Sequence, residues 1–206
     1  MLAAYLIGIY ASVLNRFTTR GIEHIPRTGG VLIASNHISG YETVFLPWAV
    51  LRAFPLQMLW APAKEELFRN PLLGAIFRSW GAFPVRRGRD LKAGKHLGRL
   101  LETQKVMLFP EGTRHRDGCL GKGNRGVGKL IYEHRPVVIP TALTGLNFWK
   151  FPGFGQKGEA RFGAPLNFED LFLLEDCKET HVAIVERVMA AIAAQLPEAQ
   201  AEETTP

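Results

Sequence analysis

Cysteine is scarce in this chain: two in 206 residues, Cys119 and Cys177, with no motif spacing between them. A disulfide framework is therefore excluded as an organising device, and a reducing compartment is the expected setting. No cysteine–histidine cluster suggests a metal centre. No serine or cysteine sits in a G-x-S-x-G elbow, so a nucleophile of that kind is missing from the protein itself. Internal repeats and low-complexity linkers are absent, and the length suits one α/β domain with a full core. Charge is missing from the N-terminal segment. Residues 1–15, MLAAYLIGIYASVLN, carry no charged side chain. As a helix this segment is roughly 22 Å long at about 1.5 Å per residue, short of a hydrocarbon slab of about 30 Å. Its first basic residue, Arg16, follows the apolar run rather than leading it, which argues against a secretory signal. A first helix packed on the core and a helix lying in a membrane interface, with Tyr5 and Tyr10 as anchors, both fit, ahead of a true span.

What is present is ordinary for a folded globule: 47% apolar and 21% charged residues. The charge is unevenly spread. Residues 1–165 hold 23 Lys/Arg against 10 Asp/Glu, whereas residues 166–206 hold 2 against 9. A basic body with an acidic end suits an anionic partner such as nucleic acid, phospholipid or a phosphorylated metabolite.

Apolar runs at 31–34, 57–61, 82–85, 106–109, 137–141 and 160–162 read as strands. Between them, 43–54, 65–80 and 90–103 have helical period, and Val182, Val185, Val188, Met189, Ile192 and Leu196 form a late apolar stripe. Pro47 is expected in the first turn of its helix, where a missing N–H does least harm. Strands alternating with helices predict an α/β fold: a largely parallel sheet flanked by helices, with ligands beyond the C-terminal ends of the strands. The domain spans 16–196, and the tail 197–206, PEAQAEETTP, has the composition of a disordered segment.

One motif misleads. Gly123 to Lys129, GNRGVGK, satisfies G-x4-G-K, yet Leu130 stands where a phosphate loop needs a hydroxyl, and the turn-like DGCLGK precedes it instead of a strand. A flexible basic loop entering a helix with Leu130 and Ile131 is the better reading.

Three other stretches carry chemistry. IASNHISGYETVF puts His37 and Glu42 five residues apart after a strand-like run. On a helix they would diverge by about 140°, but a turn through Ser39–Gly40 lets the carboxylate reach one imidazole nitrogen. That fixes the tautomer and leaves the other nitrogen to accept a proton. With no nucleophile nearby, the substrate's own hydroxyl would attack. A structural histidine at a strand end is the competing interpretation. LFPEGTRHRDG delivers Glu111, Gly112, Thr113 and Arg114 past a second strand; Gly112 allows close approach to the backbone, and Arg114 offers a fork suited to phosphate. WGAFPVRRG ends a third strand in Arg86 and Arg87, a solvated corner or a second phosphate site.

These blocks, with Val137–Pro140, occur in the order and rough spacing of a known family. The chain resembles the glycerolipid acyltransferases typified by 1-acylglycerol-3-phosphate acyltransferase, over most of its length. The Phe109-Pro-Glu-Gly-Thr-Arg114 block after an H-x4-acid motif is the most specific part of the match. The resemblance implies that His37 deprotonates a glycerol hydroxyl, which attacks an acyl thioester, and that Glu42 orients His37. It implies that Arg87, Glu111, Gly112, Thr113 and Arg114 grip the acceptor's phosphate, while Arg86 falls where many members carry aspartate. Pro140 matches a block associated with the acyl-donor side, and Lys64 a recurring lysine of undecided role. No cofactor or metal is implied; acyl-CoA or acyl carrier protein is the co-substrate. The acceptor is a lysophospholipid, first of all 1-acyl-sn-glycerol-3-phosphate, which would become phosphatidate. The enzyme would sit on the cytoplasmic face of a membrane, peripheral or monotopic, without nucleic acid as partner. The usual acid at position 42 is aspartate; glutamate keeps the charge and puts the acceptor's identity in doubt more than the chemistry.

The chemistry is coherent without the name. Thioester alcoholysis needs a positioned base, which contributes about 10²–10⁴-fold, and a cationic clamp to hold the acceptor. Two rivals remain: a thioesterase or esterase in which His37 activates water, and a non-catalytic binder of anionic lipid or nucleic acid. The latter lacks the aromatic interleaving of nucleic-acid modules.

Overall fold

A computed structural model describes residues 6–86 and 91–197. Seven strands form one sheet: β1 (Arg16–Arg20), β2 (Val31–Ser35), β3 (Leu59–Lys64), β4 (Ala82–Val85), β5 (Lys105–Leu108), β6 (Val137–Thr144) and β7 (Lys157–Phe162). Their spatial order is β1-β7-β6-β2-β5-β3-β4. Among the described residues every pairing is parallel except β6 with β7. Flanking them are α1 (Glu42–Ala53), α2 (Pro71–Ser79), α3 (Leu91–Thr103), α4 (Arg125–His134), the short α5 (Glu169–Phe172) and α6 (Lys178–Ala193). The α/β class and largely parallel sheet expected from the alternation are what is observed.

The central strands β2 and β5 are buried at every position, which is why they read as continuous apolar runs rather than alternating ones. Their side chains still alternate between faces. Val31, Ile33, Met107, Ile139 and Leu143 join one core, under α1 and the first helix. Leu32, Ala34, Val106, Leu108, Val138 and Ala142 join the other, under α4 and α6.

Three local expectations are corrected. The strand β1, RFTTR, went unread because Phe17 is its lone apolar residue; an edge strand paired with β7 alone needs little more inside. The helical period over 65–80 breaks in two. A 3₁₀ turn covers Glu65–Phe68, and α2 begins afresh at Pro71. Asn70 cannot continue a helix before proline, and its Oδ1 instead accepts from the N–H groups of Leu72 and Leu73 at 3.0 and 3.1 Å. Pro47 lies beyond the first turn, because α1 already starts at Glu42.

The misleading glycine motif is also explained. Asn124 caps α4 by accepting from the Gly126 N–H at 2.7 Å, and Gly126 and Gly128 lie within the helix rather than in a loop. A Cβ on Gly128 would stand 1.9 Å from the His181 carbonyl oxygen. Glycine there lets α4 and α6 touch backbone to backbone.

Residues 6–14 are helical, the last six with π-type spacing, and bury Ala11. Residues 1–5 and the tail from 198 lie outside the described residues, so the expectations made for them stay expectations. Among the described residues no helix is long and apolar enough to cross a membrane.

Candidate active site

Adjacent parallel strands create the site. The register of β2 and β5 pairs Ala34 with Leu108, so both strands end level. His37 follows one end and Glu111 the other, on the edge where ligands of parallel sheets are expected.

His37 is held from every side. Its Nδ1 lies 2.6 Å from Glu42 Oε1. Its ring stacks on Phe109, with centroids 4.0 Å apart and planes 11° from parallel. Its own backbone N–H donates to Glu111 Oε1 at 2.7 Å, and its carbonyl accepts from the His115 N–H at 2.7 Å. The neighbouring Asn36 is buried and clasps the Leu143 peptide with both amide atoms, at 2.7 and 3.0 Å. This bond pins the chain between β2 and β6 immediately before the histidine. Among the described residues nothing hydrogen-bonds the remaining nitrogen, Nε2, and the side chain is 15% exposed.

Glu42 is fully buried and supplied with donors. The Ser39 N–H donates to Oε1 at 2.7 Å, and the Ser39 hydroxyl donates to Oε2 in a very short bond. The same hydroxyl accepts from the Tyr41 N–H at 3.0 Å. Glu42, the first residue of α1, thus reaches back to both donors of Ser39 just ahead of the helix. The helix N-terminus adds favourable dipoles for the carboxylate. The extra methylene of glutamate now has a local reason: one carboxylate takes both Ser39 donors and still reaches the imidazole.

Glu111 has a different task from its neighbours. Its side chain is buried, with Oε1 on the His37 N–H and Oε2 accepting from the Gly121 N–H at 2.9 Å. Burial pushes its carboxyl above the usual carboxylate range, opposed by those two N–H groups and by the nearby His115 and His37. It staples the segment around residue 121 to the histidine's backbone rather than facing outward. Gly112, Thr113 and Arg114 are exposed on the rim. Gly112 has φ +67°, a conformation glycine adopts freely, with its N–H on the Phe109 carbonyl at 3.0 Å. Arg114 makes no hydrogen bond or ion pair among the described residues, and it directly precedes the His115 N–H that grips His37.

The remaining sequence candidates are dispersed along the same edge or beneath it. Lys64 ends β3, exposed, level with Val85 at the end of β4. Arg86 follows β4 and engages Glu65 through Nε at 2.9 Å and Nη2 at 3.3 Å. Arg87 lies outside the described residues. Pro140 is buried inside β6 opposite Ala34, and its carbonyl accepts from the Gly163 N–H at 2.8 Å just past β7. It stands three residues below the histidine's level rather than at the mouth.

Sequence reasoning missed Asn36, Ser39, Phe109, His115 and Gly121. The Ser39-x-x-Glu42 spacing was a readable signal; the contacts of the other four depend on which strands become neighbours.

Beside this loop an open apolar cleft of about 520 Å³ runs between the first helix and α1. Gly40 and Tyr41, between His37 and Glu42, form part of its wall. Ile7, Tyr10, Val44 and Phe151 also line it.

The arrangement can be set beside known proteins. The family model for acyltransferases matches residues 16–144. The 1-acyl-sn-glycerol-3-phosphate acyltransferase of Pseudomonas aeruginosa is 30% identical over 162 residues, covering 73% of this chain and 60% of that protein. The protein of that name from Bacillus subtilis is 29% identical over 170 residues, 80% of each chain. A crystal structure of the 1-acyl-sn-glycerophosphate (LPA) acyltransferase from Thermotoga maritima superposes with a TM-score of 0.63 at 19% identity, over 95% of this chain and 81% of that one, and shares the fold. Because the matched segment runs from β1 to the end of β6 and contains His37, Glu42 and the Glu111–Arg114 rim, this chain belongs to the acyltransferase family.

Proposed function

We propose that this protein transfers a fatty acyl group from acyl-CoA or acyl carrier protein to the free hydroxyl of a lysophospholipid, first of all 1-acyl-sn-glycerol-3-phosphate. The reading rests chiefly on one observation: His37 has Nδ1 committed to the buried Glu42 and Nε2 free.

With Glu42 accepting from Nδ1–H, Nε2 is the basic nitrogen. It takes the proton of the acceptor hydroxyl as the oxygen attacks the thioester carbonyl. The tetrahedral adduct collapses by breaking the C–S bond, and the imidazolium returns its proton to the departing thiolate. Glu42 steadies the imidazolium in between. Phosphate is the group Arg114 suits, with its guanidinium unpaired on the rim; Arg87 and Lys64 are proposed to complete the cationic side. The apolar cleft offers an acyl chain a wall that adjoins the reacting loop. Both substrates carry apolar tails, so the protein works at a membrane surface, on its cytoplasmic face.

Thiol release from acyl-CoA, followed with and without 1-acyl-sn-glycerol-3-phosphate, tests the proposal. Release that depends on the acceptor and falls about 10²–10⁴-fold in His37→Ala supports it. Release that ignores the acceptor would instead make the protein a thioesterase.

A further inference from the structure

Three phenylalanines stand in solvent on one loop. Phe148, Phe151 and Phe154 are 74%, 75% and 70% exposed, within the segment 146–156 that precedes β7. Such exposure on a mobile tip would mean little, but this loop is built. Asn15, buried at the end of the first helix, donates to the Gly153 and Tyr10 carbonyls at 3.1 and 3.0 Å and accepts from the Gln156 N–H at 3.0 Å. Gln156 in turn brackets Lys150, accepting from its N–H at 2.7 Å and donating to its carbonyl at 3.1 Å. The Gly155 N–H reaches the Leu14 carbonyl at 2.8 Å. Much of the loop is tied down, and the three rings remain largely exposed, Phe151 also resting on Tyr10 with centroids 5.4 Å apart.

Leu6, Ile9, Val13 and Leu14 of the first helix add exposed apolar surface to the element this loop is clasped to. Within the two segments that form this surface the charge has one sign. No Asp or Glu occurs in 1–22 or 134–158, while Lys150, Lys157 and Arg16 are exposed, the last two register partners in the β1–β7 ladder. Strand direction decides where this surface lies. β7 runs against β6, pairing Thr144 with Glu159, and β1 follows β7. The starts of β1 and β7 therefore fall on the edge where β2 delivers His37. Phe151 also lines the cleft beside the catalytic loop.

We infer that the 146–156 loop is a membrane-insertion surface: Phe148, Phe151 and Phe154 enter the apolar boundary of an anionic bilayer while Arg16, Lys150 and Lys157 meet its phosphates. Apolar anchors plus cations supply the two signals that stable binding needs, and a bilayer docked there would present lipid tails at the mouth of the cleft. The inference rests on the lipid-substrate reading above, and its test separates the two. Binding of the full chain to phosphatidylcholine vesicles containing phosphatidylglycerol is measured by co-sedimentation, alongside thiol release with a detergent-dispersed acceptor. Phe148→Ser/Phe154→Ser is expected to weaken vesicle binding by about tenfold or more, with thermal unfolding and the dispersed-substrate rate unchanged. Lys150→Gln and Lys157→Gln are expected to lose about fivefold each on anionic vesicles and nothing on pure phosphatidylcholine. Unchanged vesicle binding in the double phenylalanine variant overturns the inference. So does a monomer shift of that variant in lipid-free sedimentation velocity, which would make the surface an interface between copies. Weakened vesicle binding in a protein that never transfers acyl groups would keep the surface and discard the enzymatic reading.

Discussion

On one face of the sheet, Phe17, Phe45, Trp48, Phe54, Trp149 and Phe162 are buried in the core among aliphatic side chains; on the other, leucine, isoleucine and valine predominate, and among the described residues Phe168 is the one buried phenylalanine, tyrosine or tryptophan of that core. The rings pack edge on and tilted, with Phe17 and Trp149 each 5.1 Å from Phe45, arrangements that add stabilisation beyond area burial. On this face a cleft stays open between the first helix and α1. On the aliphatic face Gly128 brings α4 and α6 into backbone contact. The site lies at the seam. Glu42 comes from the helix of the open face, whereas Glu111 ties His37 to residue 121, next to Leu120 of the aliphatic face. The lesson is a division of labour: the open cleft belongs to the ring-bearing side, and the contacts that hold His37 draw on both.

Substitutions can break that contrast, beginning with the strongest. His37→Ala should cost about 10²–10⁴-fold in acceptor-dependent turnover with little change in melting temperature, since the ring sits at the seam and in neither core. Glu111→Ala should lower both turnover and stability, the latter by about 1–3 kcal/mol for each buried N–H left without a partner; chemical denaturation and kcat read the two effects. Gly128→Ala should destabilise by about 1–3 kcal/mol, because the obstacle is backbone that cannot rotate away, while kcat per folded molecule holds. A fall in kcat matching that of Glu111→Ala would erase the distinction between the faces.

Two smaller effects sharpen the picture. The Glu111 carboxyl binds its proton more tightly folded than unfolded. Its contribution is therefore fully present below the ordinary value of 4.5 and is lost as pH rises through the raised folded value. The stability difference between wild type and Glu111→Gln should accordingly shift against the wild type as pH rises from 4.5, as measured by denaturant titration at several pH values. Gly40→Ala, on the open face where an added Cβ meets nothing within 4 Å, should leave stability within about 0.5 kcal/mol.

Much of the framework was legible along the chain. The central strands announced themselves because burial on both faces demands unbroken apolar runs, and His37, Glu42 and the Glu111–Arg114 block stood out as polar interruptions right after such runs. β1 did not, since an edge strand is under little compositional pressure. Asn70-Pro71 carried a helix-start signal that the continuing apolar period concealed. Glu111 was assigned to the rim with its sequence neighbours, and its inward turn depends on His37 and Gly121 being brought to it across the fold.

The order of residues by itself settled what is local: strand periodicity, the turn between His37 and Glu42, and the cationic bias of the body. Tertiary structure alone decided which strand ends are neighbours, that β1 and β7 run backwards, and hence that a ring-bearing loop more than a hundred residues from His37 shares its edge. The physical reason is that hydrogen-bond geometry and side-chain period act within a few residues, whereas strand pairing is chosen by the joint burial of surfaces the chain carries far apart.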